Sequence, residues 1–324
     1  ARYAKEIAKY LGTNHTEMDC TQKEALEIVP SLPEIYDEPF GDSSAVPTFL
    51  ISKLAHSQVK VVLSGDGGDE FFTGYDKYWN VKMLQALRLS AKMPDILGSL
   101  VDKVLSFSLN DGAYRVRKFS QMAQHQNIFE RLADVATGFL STEIAQMVKA
   151  KKRSFIEDIF RETQKDLLKL DSVSLWMYFD AKTYLPEDIL TKVDRASMYN
   201  ALEAREPLLD HKILEFVAQL PVSWKCDQTS GKYLLKEILR KYLPQKYWDR
   251  PKHGFSIPMR KWLLQDLRPI VEESLSEKAL NEVGLLDTEK VLKVKKYFYE
   301  NKNSNPYRIW YLLVFQMWAK RWLS

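Results

Sequence analysis

Val59-Lys60-Val61-Val62-Leu63 is short, β-branched and almost wholly apolar, and it runs straight into Ser64-Gly65-Asp66-Gly67-Gly68-Asp69-Glu70. An apolar run of this length predicts a buried strand of a parallel sheet. Open α/β sheets bind ligands beyond the carboxyl ends of such strands, so the loop falls where a site belongs. Its glycines let backbone N–H groups approach and hold an anion. Ser64 adds a hydroxyl donor. Carboxylates beside a phosphate repel it unless a cation stands between them. Mg2+ meets that need through one or two carboxylates plus phosphate oxygens. The same residues also suit plain local roles, with Asp69 capping a following helix and Asp66 bracing a turn.

On the N-terminal side of the strand, Tyr3, Ala4, Ile7, Ala8 and Leu11 recur at helical spacing, and Gly12 ends that helix. Residues 13–18 read as extended, 22–29 as a second helix and 47–55 as a third, with Pro47 in its first turn. With the strand, these predict an α/β part over 1–78. Over 79–324 helical patterns dominate, at 81–106, 128–136, 155–169, 172–184, 208–219, 232–242 and a tryptophan-rich 305–323. Asn110-Asp111-Gly112 and 124–127 read as exposed loops.

Composition removes several alternatives. Of 324 residues, 45% are hydrophobic, which supports a sizeable core. The 47 basic residues against 43 acidic ones form no basic stripe; Lys149, Lys151, Lys152 and Arg153 make only a short run. The most apolar stretch, Trp310 to Ala319, is too short to cross a bilayer, which takes about 20 residues. Cys20 and Cys226 are isolated, lack metal-type spacing and fit a reducing cytoplasm. The expectation is a cytoplasmic protein with no nucleic-acid or membrane partner.

More blocks carry chemistry. After Phe71-Phe72-Thr73-Gly74-Tyr75 come Tyr184-Leu185-Pro186-Glu187-Asp188 and Lys192-Val193-Asp194-Arg195-Ala196-Ser197. Then follow Glu203-Ala204-Arg205-Glu206-Pro207-Leu208-Leu209-Asp210 and Lys252-His253-Gly254-Phe255. Upstream lie Tyr36-Asp37-Glu38-Pro39-Phe40 and Asp42-Ser43-Ser44. In this order, from near residue 1 to about residue 265, they resemble the asparagine synthetase family. Its members carry S-G-(D/E)-G-x-D-E after a strand, then G-G-Y, Y-L-P-x-D, K-x-D-R-x-S, E-x-R-x-P-x-L-D and a late K-x-G-F. Thr73 replaces the usual first glycine of G-G-Y, and Glu206 stands where an apolar residue is common.

The resemblance implies a partial parallel sheet of the adenine-nucleotide alpha-hydrolase-like (ATP pyrophosphatase) type, with a large helical continuation. It implies a ligase that makes asparagine from aspartate and ATP through β-aspartyl-AMP, using ammonia from glutamine. Ser64, Gly65 and Gly67 then match positions that hold ATP, and Asp66 matches the acidic position tied to the acyl-adenylate. Asp69 matches a carboxylate associated with Mg2+ and pyrophosphate, and Tyr75 lies where a tyrosine adjoins the acyl-adenylate. Lys252 matches a lysine that neutralises charge on the departing pyrophosphate, a preorganised contact of the kind that stabilises a transition state. Spacing leaves both Glu187 and Asp188 open as the acid/base partner near Tyr75.

Other polar residues of these blocks read as structural. Arg195, Glu203, Arg205 and Asp210 are expected in buried ion pairs that brace the helical part, His15 and His211 as hydrogen-bonded structural histidines. Family members also have a glutaminase domain, normally on the same chain, and an S-G-G-x-D-S loop that grips pyrophosphate. Neither occurs in residues 1–324. The expectation is a synthetase part incomplete on its N-terminal side, inactive in adenylation by itself and compatible with a homodimer. The same scaffold also suits amidation or ring closure of another carboxylate, or a non-catalytic scaffold protein.

Overall fold

The computed structural model describes residues 2–18, 21–79, 111–125, 127–149, 155–167, 169–227, 230–249, 257–301 and 304–324. The helix expected over 81–106, Cys20 and Lys252 lie outside the described residues. Helices Arg2–Leu11, Gln22–Ile28 and Ala45–His56 form where the apolar spacing places them. The second is closed by a reciprocal cap: Glu24 N–H donates to Thr21 Oγ1 at 3.2 Å, and Thr21 N–H donates to Glu24 Oε2 at 3.0 Å.

Strand β1, Val61–Leu63, pairs in parallel with β2, Glu203–Arg205, in the register Val61–Glu203, Val62–Ala204 and Leu63–Arg205. Glu203 N–H donates to Lys60 O and Ser64 N–H donates to Arg205 O, both at 2.9 Å. The chain is a mostly helical α/β protein with this small parallel sheet.

The sheet corrects two expectations. β1 is shorter than 59–63 and is not buried, with Val61 41% and Leu63 73% exposed. A two-stranded ribbon leaves an open edge and cannot cover its own face. In a parallel pair each residue bonds one neighbour only, so the amides of Val61 and Leu63 face that open edge. The polar segment Glu203–Arg205, expected to supply buried braces, is the second strand instead. Arg205 Nε donates to Glu203 Oε1 at 2.7 Å on an exposed face, because residues two apart share a strand face. Arg195 meets Asp37 at 3.3 Å on the surface, and Asp210 caps helix His211–Gln219 by accepting the Lys212 N–H at 2.9 Å.

Two smaller differences concern helix ends. Asp111 and Gly112 open helix Asp111–Gln124 where a loop was expected, since aspartate suits a first turn. The run over 155–169 breaks into Phe155–Phe160 and Gln164–Leu167.

The larger core surrounds the last helix, Pro306–Trp322, whose Ile309, Trp310, Leu313 and Val314 are buried. Its tryptophans are core residues with a second use. The indole N–H of Trp310 donates to Gly41 O at 2.9 Å and that of Trp322 to Pro33 O at 2.9 Å, while Trp318 donates to Asp37 O. One helix thus holds the segment just before Asp42. A second core lies beyond the sheet, where Phe129 stacks on Phe160 with centroids 4.1 Å apart, next to Tyr78, Trp176 and Phe179.

Within that second body His125 bridges Glu130 Oε2 at 2.8 Å (Nδ1) and Asp134 Oδ2 at 2.9 Å (Nε2). Burial works to lower its pKa, but the hydrogen bonds and charges of Asp134 and Glu130 win and raise it. A raised folded-state value stabilises below the unfolded value of about 6.5 and is lost as pH rises through the folded value. Urea midpoints of the wild type should therefore fall between pH 6 and pH 8 more than those of His125→Gln. Equal falls in both proteins would remove His125 from the account.

Candidate functional site

Ser64 is the first residue past β1, and the sheet aims it into a cleft of about 750 Å³. Ser64, Gly65, Asp66, Asp69 and Tyr75 all line this cleft, joined by Asp42, Tyr184 and Lys192. Ile51, Ala55, Val62, Leu63 and Leu202 give it an apolar wall. A few polar groups on a mainly apolar surface is the usual make-up of a small-molecule site.

The loop itself is tightly seated. Ser64 Oγ donates to Asp66 Oδ2 at 2.8 Å. Gly67 has φ +84°, and a Cβ there would lie 2.1 Å from Leu209 Cδ2. Gly67 is therefore needed for packing against β2's following turn, and it does not line the cleft. Gly65 has no atom within 4 Å of an added Cβ, so its backbone faces open space. Of the two glycines expected to hold ATP, Gly65 borders the cleft and Gly67 supports it from behind.

Asp69 opens the short helix Gly68–Phe71, and its Oδ1 meets Lys232 Nζ at 2.9 Å. Tyr75 donates to Glu70 Oε1 at 2.5 Å, and Glu70 is 1% exposed. Burial raises the Glu70 carboxyl, against the lowering effect of the Tyr75 hydrogen bond. Burial together with the Glu70 charge pushes the Tyr75 phenol far above its ordinary range, so it stays protonated. Tyr184 meets the Tyr75 ring edge-on at 5.7 Å. Lys77 lies between these rings and Asp180, bonding Asp180 Oδ2 at 2.7 Å.

A second group sits across the cleft. Lys192 Nζ donates to Asp42 Oδ2 at 2.8 Å and stands 4.0 Å from Asp188 Oδ1. Ser44 Oγ donates to Asp42 Oδ2 at 2.5 Å. Burial acts against the Asp42 charge, yet Lys192 and Ser44 hold its pKa below the usual value. Burial and the facing Asp42 carboxylate raise that of Asp188. The two carboxylates thus share one cation, and Asp188 takes up a proton more readily. Asp188 lies in this cluster, whereas Glu187 is exposed and lines an adjoining cleft with Tyr307 and Tyr311.

The chain matches the family model described as asparagine synthase over residues 1–320. It belongs to the asparagine synthase family. Within that family it is similar to a Mycobacterium tuberculosis protein named for a glutamine-hydrolysing asparagine synthetase, with 28% identity over 96% of this chain and 47% of the relative. It is also similar to asparagine synthetase (glutamine-hydrolysing) 1 of Bacillus subtilis, 26% identical over 97% of this chain and 49% of the relative. A Penicillium rubens protein named amidase chyE is 23% identical over 77% of this chain and 40% of its own length. The chain spans about half the length of the synthetases it matches.

Sequence reasoning missed Glu70, Lys192 and Lys232 as site residues. Glu70 and Lys192 lie inside quoted blocks but carry no mark of their role. Lys192 is separated by 150 positions from Asp42, and only the fold joins them. Lys232 stands in no motif; its backbone has φ +59°, a left-handed value that no residue pattern announced. No helix among the described residues is long and apolar enough to cross a membrane.

Proposed function

We propose that the chain is the synthetase part, residues 1–324, of an ATP-dependent amidotransferase that makes asparagine from aspartate through β-aspartyl-AMP. The observation that carries this reading is the Ser64–Asp69 loop, which opens from the end of a parallel strand onto a nucleotide-sized cleft in an asparagine synthase family chain. In this reading the sheet is of the adenine-nucleotide alpha-hydrolase type, and the open edge of β1 takes a further strand. A glutaminase domain on the same polypeptide supplies ammonia from glutamine in the cytoplasm, and a homodimer is compatible with the scheme.

The roles follow from placement. The apolar wall takes the adenine, and the Ser64 hydroxyl and Gly65 backbone lie where phosphate oxygens would approach. Asp66 adjoins the forming acyl-adenylate. Asp69 fits a cation, because its carboxylate oxygen already carries an ammonium there. Among the described residues no three His, Cys, Asp or Glu side chains form a metal cage. That suits Mg2+, which keeps water and phosphate oxygens as most of its ligands. When bound it would neutralise phosphate charge, with Asp69 and Asp66 as protein ligands. Tyr75, held by Glu70, would orient the acyl group, and Asp188 would accept the proton that the incoming amine releases. Lys252 would neutralise the departing pyrophosphate.

The test is aspartate-dependent exchange of labelled pyrophosphate into ATP by the longer parent protein. Exchange is expected with aspartate, and about a hundredfold less with Lys252→Ala, as for loss of one preorganised contact. Exchange only with a different carboxylic acid would move the reading to amidation or ring closure of that acid, towards which the similarity to an amidase also points. No exchange with any acid would leave a binding scaffold. The isolated chain is expected to release no pyrophosphate from ATP and aspartate, and detectable release would refute its incompleteness.

A further inference from the structure

Lys232 reaches Asp69 from a part of the chain that no block marks, and the backbone around it is built to deliver it. Its φ of +59° is one of four non-glycine left-handed values among the described residues, and Thr73, opposite, holds another at +57°. Such conformations persist only where their surroundings enforce them. Here they are enforced on both sides. Lys232 N–H donates to Phe72 O at 2.7 Å, and Thr73 Oγ1 donates to Lys225 O at 2.8 Å. A Cβ on Gly231 would lie 1.7 Å from Thr73 O. A Cβ on Gly74 would lie 1.8 Å from Asp69 Oδ1 and 2.3 Å from Lys232 Cε. Two glycines are thus kept clear so that one ammonium can rest on one carboxylate.

That placement has an electrostatic purpose. Asp69 follows Asp66 by three positions, and its charge also acts on the buried Glu70. Without a cation the loop would hold mutually repelling carboxylates at the mouth of the cleft. The Lys232 ammonium neutralises Asp69 with the same sign of charge that a metal ion would bring. It meets Oδ1 at 2.9 Å, where Mg2+ would need the same oxygen at about 2.1 Å. Two cations cannot crowd one oxygen, so one must leave as the other arrives.

We propose that Asp69 and Lys232 form a cation-exchange position, in which a divalent ion enters the loop by taking the Asp69 carboxylate from the Lys232 ammonium. The proposal rests on reading Asp69 as a cation-binding carboxylate. Cation entry and lysine release are then a single event, and the cation-free loop keeps its shape because the lysine stands in. Lys232 acts here as a positioning residue for the ion.

Mn2+ binding to this chain without nucleotide, followed by electron paramagnetic resonance, tests it. Lys232→Met should bind Mn2+ about fivefold more tightly than the wild type, the most that a part-exposed ion pair commonly contributes as a competitor. Asp69→Asn should lose that binding. In the wild type, acetylation of the Lys232 amine, read by peptide mass spectrometry, should speed up when Mn2+ is added. This second measurement needs no variant to fold. Equal or weaker binding by Lys232→Met, unchanged acetylation, or undiminished binding by Asp69→Asn would each overturn the exchange. Those outcomes would leave aspartate-dependent pyrophosphate exchange by the parent untouched, and failure of that exchange would leave the Mn2+ ranking standing.

Discussion

Glu143→Ala is expected to lower the unfolding free energy by about 3–5 kcal/mol, seen as a large drop in the urea midpoint with little change in slope. Glu143 is fully buried near the start of helix Ser141–Met147. Its Oε1 accepts from Arg117 Nη1 at 3.0 Å, and its Oε2 accepts from Arg308 Nη2 at 2.7 Å and from the Leu140 N–H at 3.1 Å. One carboxylate thus joins three segments, from helices Asp111–Gln124, Ser141–Met147 and Pro306–Trp322. Arg308 also lies over the Phe139 ring at 4.5 Å, so it cannot swing to water without breaking the core. Deleting the carboxylate leaves two buried guanidinium groups facing a void, and uncompensated buried charge is among the costliest of single changes. Glu143→Gln keeps an acceptor but loses the charge, and should fall between the two. A loss below about 1 kcal/mol for alanine would mean that water already reaches the network.

The second large effect is steric and local to the site. Gly231→Ala would put a methyl 1.7 Å from the Thr73 carbonyl oxygen, which is backbone and cannot rotate away. The segment Gly231–Lys232 must separate from Phe72–Thr73, breaking the 2.7 Å bond from Lys232 N–H to Phe72 O and pulling Lys232 off Asp69. Overpacking of this kind costs about 3 kcal/mol and should lower the melting midpoint by several degrees. Gly65→Ala provides the contrast. Nothing lies within 4 Å of its added Cβ, so stability should change by less than about 0.5 kcal/mol while nucleotide binding weakens. Similar melting shifts for the two variants would contradict the packing described for this loop.

These two glycines show why the site was only partly legible in the sequence. Gly65 sits in a glycine-rich run directly after an apolar strand, and that juxtaposition alone marked Ser64, Asp66, Asp69 and Tyr75 as neighbours of one cleft. Gly231 lies between Ser230 and Lys232, in a segment that looks like any surface turn. Its importance comes from a close approach between stretches some 150 residues apart, which local pattern does not encode. The helices at 22–28 and 45–56 were legible because capping and apolar spacing are local. β2 was not, because Glu203-Ala204-Arg205 becomes a strand only by pairing with β1. For the same reason Val59 to Leu63, read from its composition, suggested a buried strand, and the pairing that would have shown its exposure was hidden.

That pairing also sets an order of events in folding. Val61 and Glu203 are neighbours in space but about 140 positions apart along the chain, so their contact closes a long loop whose entropy must be met before any bond rewards it. Helices such as Ser172–Lys182 and Thr191–Tyr199 can form from local contacts well before then. Val59 to Leu63 must wait, apolar and unpaired, with the cleft-forming Ser64–Asp69 loop attached to it. During synthesis this stretch leaves the ribosome long before its partner. The catalytic loop is thus expected to be among the last parts to take shape, and its own strand the part most in need of protection from aggregation until Glu203–Arg205 arrives.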